Sequence, residues 1–543
     1  MLWILSLSYS TWALMGLLGV FLFVIFTDRK STKQGKAPGP YAIPVLGNLL
    51  SVAKYPDITV ALSALAKQYG EIVSLKLGSM DCLVISGLDK IKTVLHTKGH
   101  LFDARPNFQR HNLLFGNDKN NSIAFSDWTD ISKRRRDLVK NHTFPKQFSS
   151  VFEHLDSVTN YHMGNLMADL ADNPETTSIY MKPVLNELVA KVFLQYFTSF
   201  EVTGENYEDF LGLIEAFDYI FTEINDDCIG DIIPSLMFLC NKSHLTNVSH
   251  TIRGFVMKHC VEPRIAERQL RAVKASDVKP NRHSVLTMEC RESIEKVDDG
   301  MPLHHSVPNF GEVDDNNNYA DCEPQDMLDD FLNSVGKENM TLDIALYAFE
   351  DIIGGHSAIS NMLIRVMILL AQNPEVQEKI RAEVFETAGR APVNLFHRLP
   401  YVEATVLEAV RHISSPIVPH VAVQDTTLDD VNVPKGTVIF CNSRDLNFSP
   451  TLWKHIDPIK FAPERFLTPD NQVQKPDFFI PFSTGRRSCM GYKMVQYISM
   501  VTIANLCQKF SIELDPTENY STLKGGSLAV EGKGFQFILK QLD

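Results

Sequence analysis

The chain has 543 residues, 44% hydrophobic and 22% charged, a composition that excludes wholesale disorder. Lys and Arg total 52 against 65 Asp and Glu, and the net charge of −13 excludes the basic field of a nucleic-acid-binding protein. Nine cysteines without a Cys-x-x-Cys pair argue against a disulfide scaffold or zinc module, and for a reducing compartment.

Residues 2–26 carry no charged side chain, and from Trp12 to Phe26 the run is almost wholly apolar. That is long enough for a helix to cross a bilayer. Arg29, Lys30, Lys33 and Lys36 follow, against a single Asp28, so the positive-inside rule places the bulk of the chain in the cytosol. The segment lacks the basic start and small-residue cleavage pattern of a secretory signal, and it is not an Arg- and Ser-rich transit peptide. Endoplasmic-reticulum anchorage follows. The expected organisation is a transmembrane signal-anchor at 1–27, a basic and Pro/Gly-rich linker at 28–47, and one large domain at 48–543.

Along that domain, Asp81–Ser86 has the short apolar character of a strand. From about 150 to 270 apolar residues recur at helical spacing, as in Leu185, Leu188, Val189, Val192 and Phe193. An acidic, low-complexity insertion is expected at about 275–330; its stretch 295–330 holds eleven acidic residues against one basic, and reads as a solvated loop. Helical periodicity returns at about 341–415, followed by strand-like pieces around 431–440 and Pro-rich turns up to 482. The predicted fold is mainly α with small β-sheets, in a single large domain.

The densest chemical signal is Phe482-Ser-Thr-Gly-Arg-Arg487-Ser-Cys489-Met-Gly491. A lone cysteine between glycines, leading into an apolar helical stretch, is placed where helix N–H groups favour a thiolate. Arg487 stands two residues before it, able to hold an anion. A buried, inert cysteine is the bland alternative for Cys489 taken alone. Upstream, Glu408 and Arg411 are three apart on one helix face, and Pro463-Glu464-Arg465-Phe466 lies in a turn-rich stretch. Gly354 and Gly355 interrupt an otherwise apolar helix at about 1 kcal/mol each, which calls for a kink or a close ligand.

In order and spacing, these five segments resemble the haem-thiolate cytochrome P-450 superfamily: proline-rich hinge, glycine pair, Glu-x-x-Arg, Pro-Glu-Arg-Phe and Phe-x-x-Gly-x-Arg-x-Cys-x-Gly. The likeness covers essentially the whole chain after residue 36 and implies the P-450 fold with haem b as cofactor. It implies that Cys489 is the axial iron ligand, that Phe482 shields its sulfur, and that Arg487, His420 and Trp128 bind haem propionates. Glu408, Arg411 and Arg465 resemble the structural ion-pair set behind the haem.

Two departures stand out. Four residues after Trp128, where a basic residue is usual, stands Ser132, followed by the cluster Lys133–Arg136, any of which could meet haem or an acidic redox partner. Where most members place an acid and then Thr, this chain has Ser357 and Ala358. Gly355, His356, Ser357 and Ala358 are the implied catalytic segment, with Ser357, His356 or a water as stand-ins for the lost proton relay.

The stretches Glu350–Ala358, Phe440–Asn447 and Phe479–Cys489 resemble the insect Spook/Spookier branch of the Halloween monooxygenases. That implies a sterol substrate at an early ecdysteroid step after 7-dehydrocholesterol, with NADPH electrons arriving through NADPH-cytochrome reductase. By place in the family, substrate contacts are expected from Phe108, Leu113, Leu114, Phe115, Ile123 and Phe125, and from Ile214, Phe217, Phe221, Met237 and Phe238. Alternatives are a haem-thiolate isomerase or dehydratase needing no reductase, and a non-catalytic haem or sterol binder.

Overall fold

The computed structural model describes residues 35–172, 178–226, 228–275, 323–523 and 525–542. The expected anchor at 1–27, the linker up to residue 34 and residues 276–322 of the acidic insertion lie outside them.

The helices used below are α1 (Ile58–Tyr69), α2 (Asp130–Thr143), α3 (Ser150–Ala171), α4 (Met181–Thr198), α5 (Tyr207–Asn225), α6 (Lys242–Phe255) and α7 (Glu262–Ala275). After the insertion come α8 (Met327–Ser334), α9 (Leu342–Ile353), α10 (Gly355–Gln372), α11 (Pro374–Ala388), α12 (Pro400–Ile413) and α13 (Tyr492–Lys509). The fold is mainly helical with small sheets, as predicted, and the strand expected at 81–86 is Met80–Ile85.

Local chemistry sets where these helices begin. Thr129 Oγ1 accepts from Ser132 N at 3.2 Å and Ser132 Oγ accepts from Thr129 N at 2.7 Å, a capping box that starts α2. That gives Ser132 a reason: it is a helix-starting residue. α11 and α12 both open on proline, whose missing N–H costs nothing at that position.

The stretch Leu342–Gln372 is the one described helix long and apolar enough to cross a membrane, and it is a core element instead, buried over most of its length. It breaks between α9 and α10 at Gly354. A Cβ on Gly354 would stand 2.9 Å from Cε1 of Phe217, whereas one on Gly355 would make ordinary contact with Phe193 at 3.5 Å. The close approach that explains Gly354 is therefore to an α5 phenylalanine, not to a ligand. α10 lies along α4, where Ser360 Oγ donates to Leu185 O at 3.2 Å.

The strands are β1 (Ile72–Leu77), β2 (Met80–Ile85), β3 (Ser178–Tyr180), β4 (His420–Val421), β5 (Thr426–Leu428), β6 (Val431–Val433), β7 (Val438–Cys441), β8 (Phe510–Leu514) and β9 (Gln536–Gln541). The largest sheet runs β1-β2-β7-β4, with β2 parallel to β7 and the other pairs antiparallel. His420 pairs with Ile439 across it, and Ala104 bridges to Val421, so His420 and Arg105 meet at one edge. The other sheets are β3-β9-β8 and β5-β6.

The end of the acidic stretch departs from the expected solvated loop. Asp326 caps α8 by accepting from Asp329 N at 3.1 Å, and pairs with Arg264 of α7 at 2.7 Å. Asp329 pairs with Arg268 at 2.6 Å, and Asp330 with His142 of α2 at 2.6 Å. Acidic density here serves packing against Arg264, Arg268 and His142, a use composition alone does not reveal.

Candidate active site

The segment 482–491 is bent by its own backbone. Gly485 has φ +75°, and a Cβ there would run into the Leu95 carbonyl oxygen. Cys489 N donates to Phe482 O at 2.9 Å, and α13 starts three residues further on. Cys489 is exposed only in the sense that it faces an internal cavity of about 370 Å³, on whose wall Phe482 also lies. Enclosure by protein pushes the thiol up from its ordinary value, against the N–H groups of Gly491 and Tyr492 and the Arg136 guanidinium, which pull it down.

Three arginines from separate parts of the chain reach the same cavity: Arg105, Arg136 and Arg487. Arg487 donates from Nη2 to Ala124 O at 2.9 Å, while its Nε and Nη1 are buried without a partner. Burial lowers its pKa to about 10, and Arg136 adds to the shift. Arg105 donates to the carbonyls of Val418 and Pro419 at 2.9 and 3.0 Å; burial first, then Arg487 and Arg136, depress it well below the usual arginine range. His420 Nδ1 donates to Phe102 O at 2.7 Å, which leaves Nε2 buried with no partner. Burial, then Arg105, holds that ring neutral. Unpaired donors and mutually repelling cations around one cavity are the complement of an anionic ligand with apolar faces.

Of the basic cluster after Trp128, Arg136 is the member on the cavity, its Nη2 donating to Ser488 O at 2.5 Å. Arg135 turns away to the carbonyls of Asn121 and Asn120, Arg134 pairs with Glu338, and Lys133 is exposed. Trp128 stands off the cavity wall. Its ring lies under the guanidinium groups of Arg486 (5.2 Å) and Arg487 (6.0 Å), so it braces Arg487 and does not line the site.

The helix α10 presents Gly355, Ala358, Ile359 and Met362 to the cavity. His356 and Ser357 do not line it. The His356 ring is buried between Phe193 and Phe217, its Nδ1 donates to Ile353 O at 2.8 Å, and Ser357 Oγ lies 3.4 Å from Nε2. Burial lowers the His356 pKa to about 4. The helix turn thus separates the four residues of the implied catalytic segment: two face the cavity without a side-chain proton, and the two with polar side chains face the core.

Of the expected substrate contacts, Ile123 lines this cavity. Leu114 and Phe115 pack instead with Leu245, joined by Leu113 and Phe125; Ile214 and Phe217 belong to the main core, and Phe238 is exposed. Side-chain direction, not place along the chain, sets which of them line this cavity. Behind the site, Glu408 accepts from Arg411 at 2.7 and 2.8 Å and from Arg465 at 3.3 and 3.4 Å, and caps Ala462 N at 2.9 Å. Both guanidinium groups also lie over Trp453, at 5.4 and 5.3 Å.

Fold and site define a class: an enzyme with a cysteine thiol on the wall of a buried, largely apolar cavity ringed by cations. The chain belongs to the cytochrome P450 family, whose model matches residues 37–539. It is similar to cytochrome P450 307a1 of Drosophila melanogaster, at 30% identity over 540 residues, covering 93% of this chain and 89% of the fly protein. That relative is the fly Spook protein, so the resemblance to this branch is borne out. Cytochrome P450 1A1 of Macaca mulatta is 26% identical (95% and 94% covered), and steroid 17-alpha-hydroxylase/17,20 lyase of Mesocricetus auratus 25% (96% and 94%). The protein is a P450 monooxygenase, an oxidoreductase.

The family implies a haem-thiolate cofactor, and the residues fit it: a thiol facing the cavity, apolar walls, and the unpaired Nε and Nη1 of Arg487 as donors for its carboxylates; His420 does not line the cavity, and its bare Nε2 can only accept.

Proposed function

We propose that this protein is a membrane-anchored haem-thiolate monooxygenase that oxidises a sterol, at an early step of ecdysteroid synthesis from 7-dehydrocholesterol. The observation that carries the reading is the convergence of Cys489 with Arg105, Arg136 and Arg487 on one largely apolar cavity. Cys489 ligates the iron, Phe482 covers its sulfur, and Arg487, joined by Arg105 and Arg136, neutralises the propionates, a charge that the neutral His420 does not supply. Trp128 acts through Arg487. Haem, when bound, supplies the iron at which dioxygen is activated, a thiolate ligand favouring O–O cleavage.

Electrons come from NADPH through NADPH-cytochrome reductase. The apolar segment 2–26 with its basic flank supports endoplasmic-reticulum anchorage with the catalytic domain cytosolic. The likeness to the fly protein and to the hamster steroid hydroxylase supports the sterol. One oxygen atom enters a C–H bond and the other leaves as water, consuming two electrons and two protons. No side chain that α10 presents to the cavity carries an exchangeable proton, so those protons come by water.

The same missing donor favours a second reading, an isomerase or dehydratase that needs no reductase. Turnover of 7-dehydrocholesterol with reductase, NADPH and isotopically labelled dioxygen separates the two. Label in the product, dependent on NADPH, supports the monooxygenase; unlabelled product without NADPH supports the isomerase.

A further inference from the structure

Asp351 is the carboxylate on the cavity wall, two turns before Ala358 on the same stripe of the α9–α10 helix as Gly355. The other ionisable groups there are Arg105, Arg136, Arg487 and Cys489. Asp351 Oδ2 accepts three hydrogen bonds from the loop beneath, from Ser122 Oγ at 2.8 Å, Ile123 N at 2.9 Å and Ala124 N at 3.0 Å. All of its hydrogen bonds among the described residues converge on that oxygen. Oδ1 accepts none of them and keeps free acceptor capacity on a wall shared with Ile352, Ile359 and Ile123. A carboxylate oxygen on a largely apolar wall with no protein donor is a natural partner for a ligand that brings one hydroxyl into the cavity.

A proton-relay role fits less well. Three donors hold Oδ2, and the cavity-facing residues between Asp351 and Ala358 are Ile352 and Gly355, with no polar side chain. Burial raises the Asp351 pKa, while Ala124, Ser122, Ile123 and Arg135 oppose that shift and favour the anion.

We propose that Asp351 is a specificity-determining residue whose Oδ1 accepts a hydrogen bond from the hydroxyl of the substrate, fixing the sterol's orientation in the cavity. The assignment rests on the sterol reading above. It is tested by absorbance titration of the haem-loaded protein with 7-dehydrocholesterol and with its 3-deoxy analogue. The wild type should bind the hydroxylated sterol about tenfold to a hundredfold more tightly, the range for one hydrogen bond to a buried charged group. Asp351→Leu should collapse that ratio to near one, and Ser122→Ala, which removes one loop donor and keeps the carboxylate, should preserve it. Equal affinities in the wild type, or an unchanged ratio in Asp351→Leu, would overturn the assignment and leave the sterol reading standing. Failure of 7-dehydrocholesterol itself to bind the wild type would overturn both.

Discussion

Ser357 and Ala358 show how little a motif says until its side chains have directions. Ser357 occupies the position where the family usually has an acid, yet its hydroxyl faces His356 inside the core, and Ala358 faces the cavity. Ser357→Ala is accordingly expected to leave the ratio of product to released peroxide within about twofold of wild type. A larger rise in peroxide would put Ser357 back in the relay. Gly485 is the opposite case: its place in the motif signals a close backbone approach, and a positive φ with the Leu95 carbonyl leaves no room for a Cβ, whereas Gly491 has open space. Gly485→Ala should cost at least about 2 kcal/mol and release haem, measured as the haem-to-protein ratio after purification.

The pieces read from the sequence correctly at the level of elements are those whose partners lie close in the chain. Glu408 and Arg411 are one helical turn apart, and Cys489, Phe482 and Arg487 share one loop. Arg105 and Asp351 carry no local signal as parts of the site, because they reach the cavity through tertiary pairing: Arg105 beside the Ala104–Val421 bridge, Asp351 through its hold on the 122–124 loop. Arg136 was flagged only as one of four basic residues; the helical face of α2 selects it.

Gly354→Ala should lower stability by about 1–3 kcal/mol, because Phe217 must yield, while Gly355→Ala should fold normally; denaturant midpoints decide. Glu408→Gln leaves two buried guanidinium groups without a counter-charge and should cost about 3–5 kcal/mol, seen as loss of folded, haem-loaded protein.

For the whole molecule, buried histidines set the acid limb of stability. Burial lowers His356 to about 4 and His111 to about 3, against an ordinary value near 6.5. The unfolded chain therefore binds protons that the folded one refuses. Stability should be greatest above about pH 6.5 and fall as pH drops towards 4. His356→Phe should make that fall shallower by one proton in urea titrations at pH 5 and pH 7.

Whether Cys489 makes this cavity a haem-thiolate site is decided by the carbon monoxide difference spectrum of the reduced protein. Wild type should show the red-shifted band typical of thiolate-ligated ferrous haem, and Cys489→Ala should lose it. A surviving band in Cys489→Ala would contradict the account, because the iron would then be held by another residue.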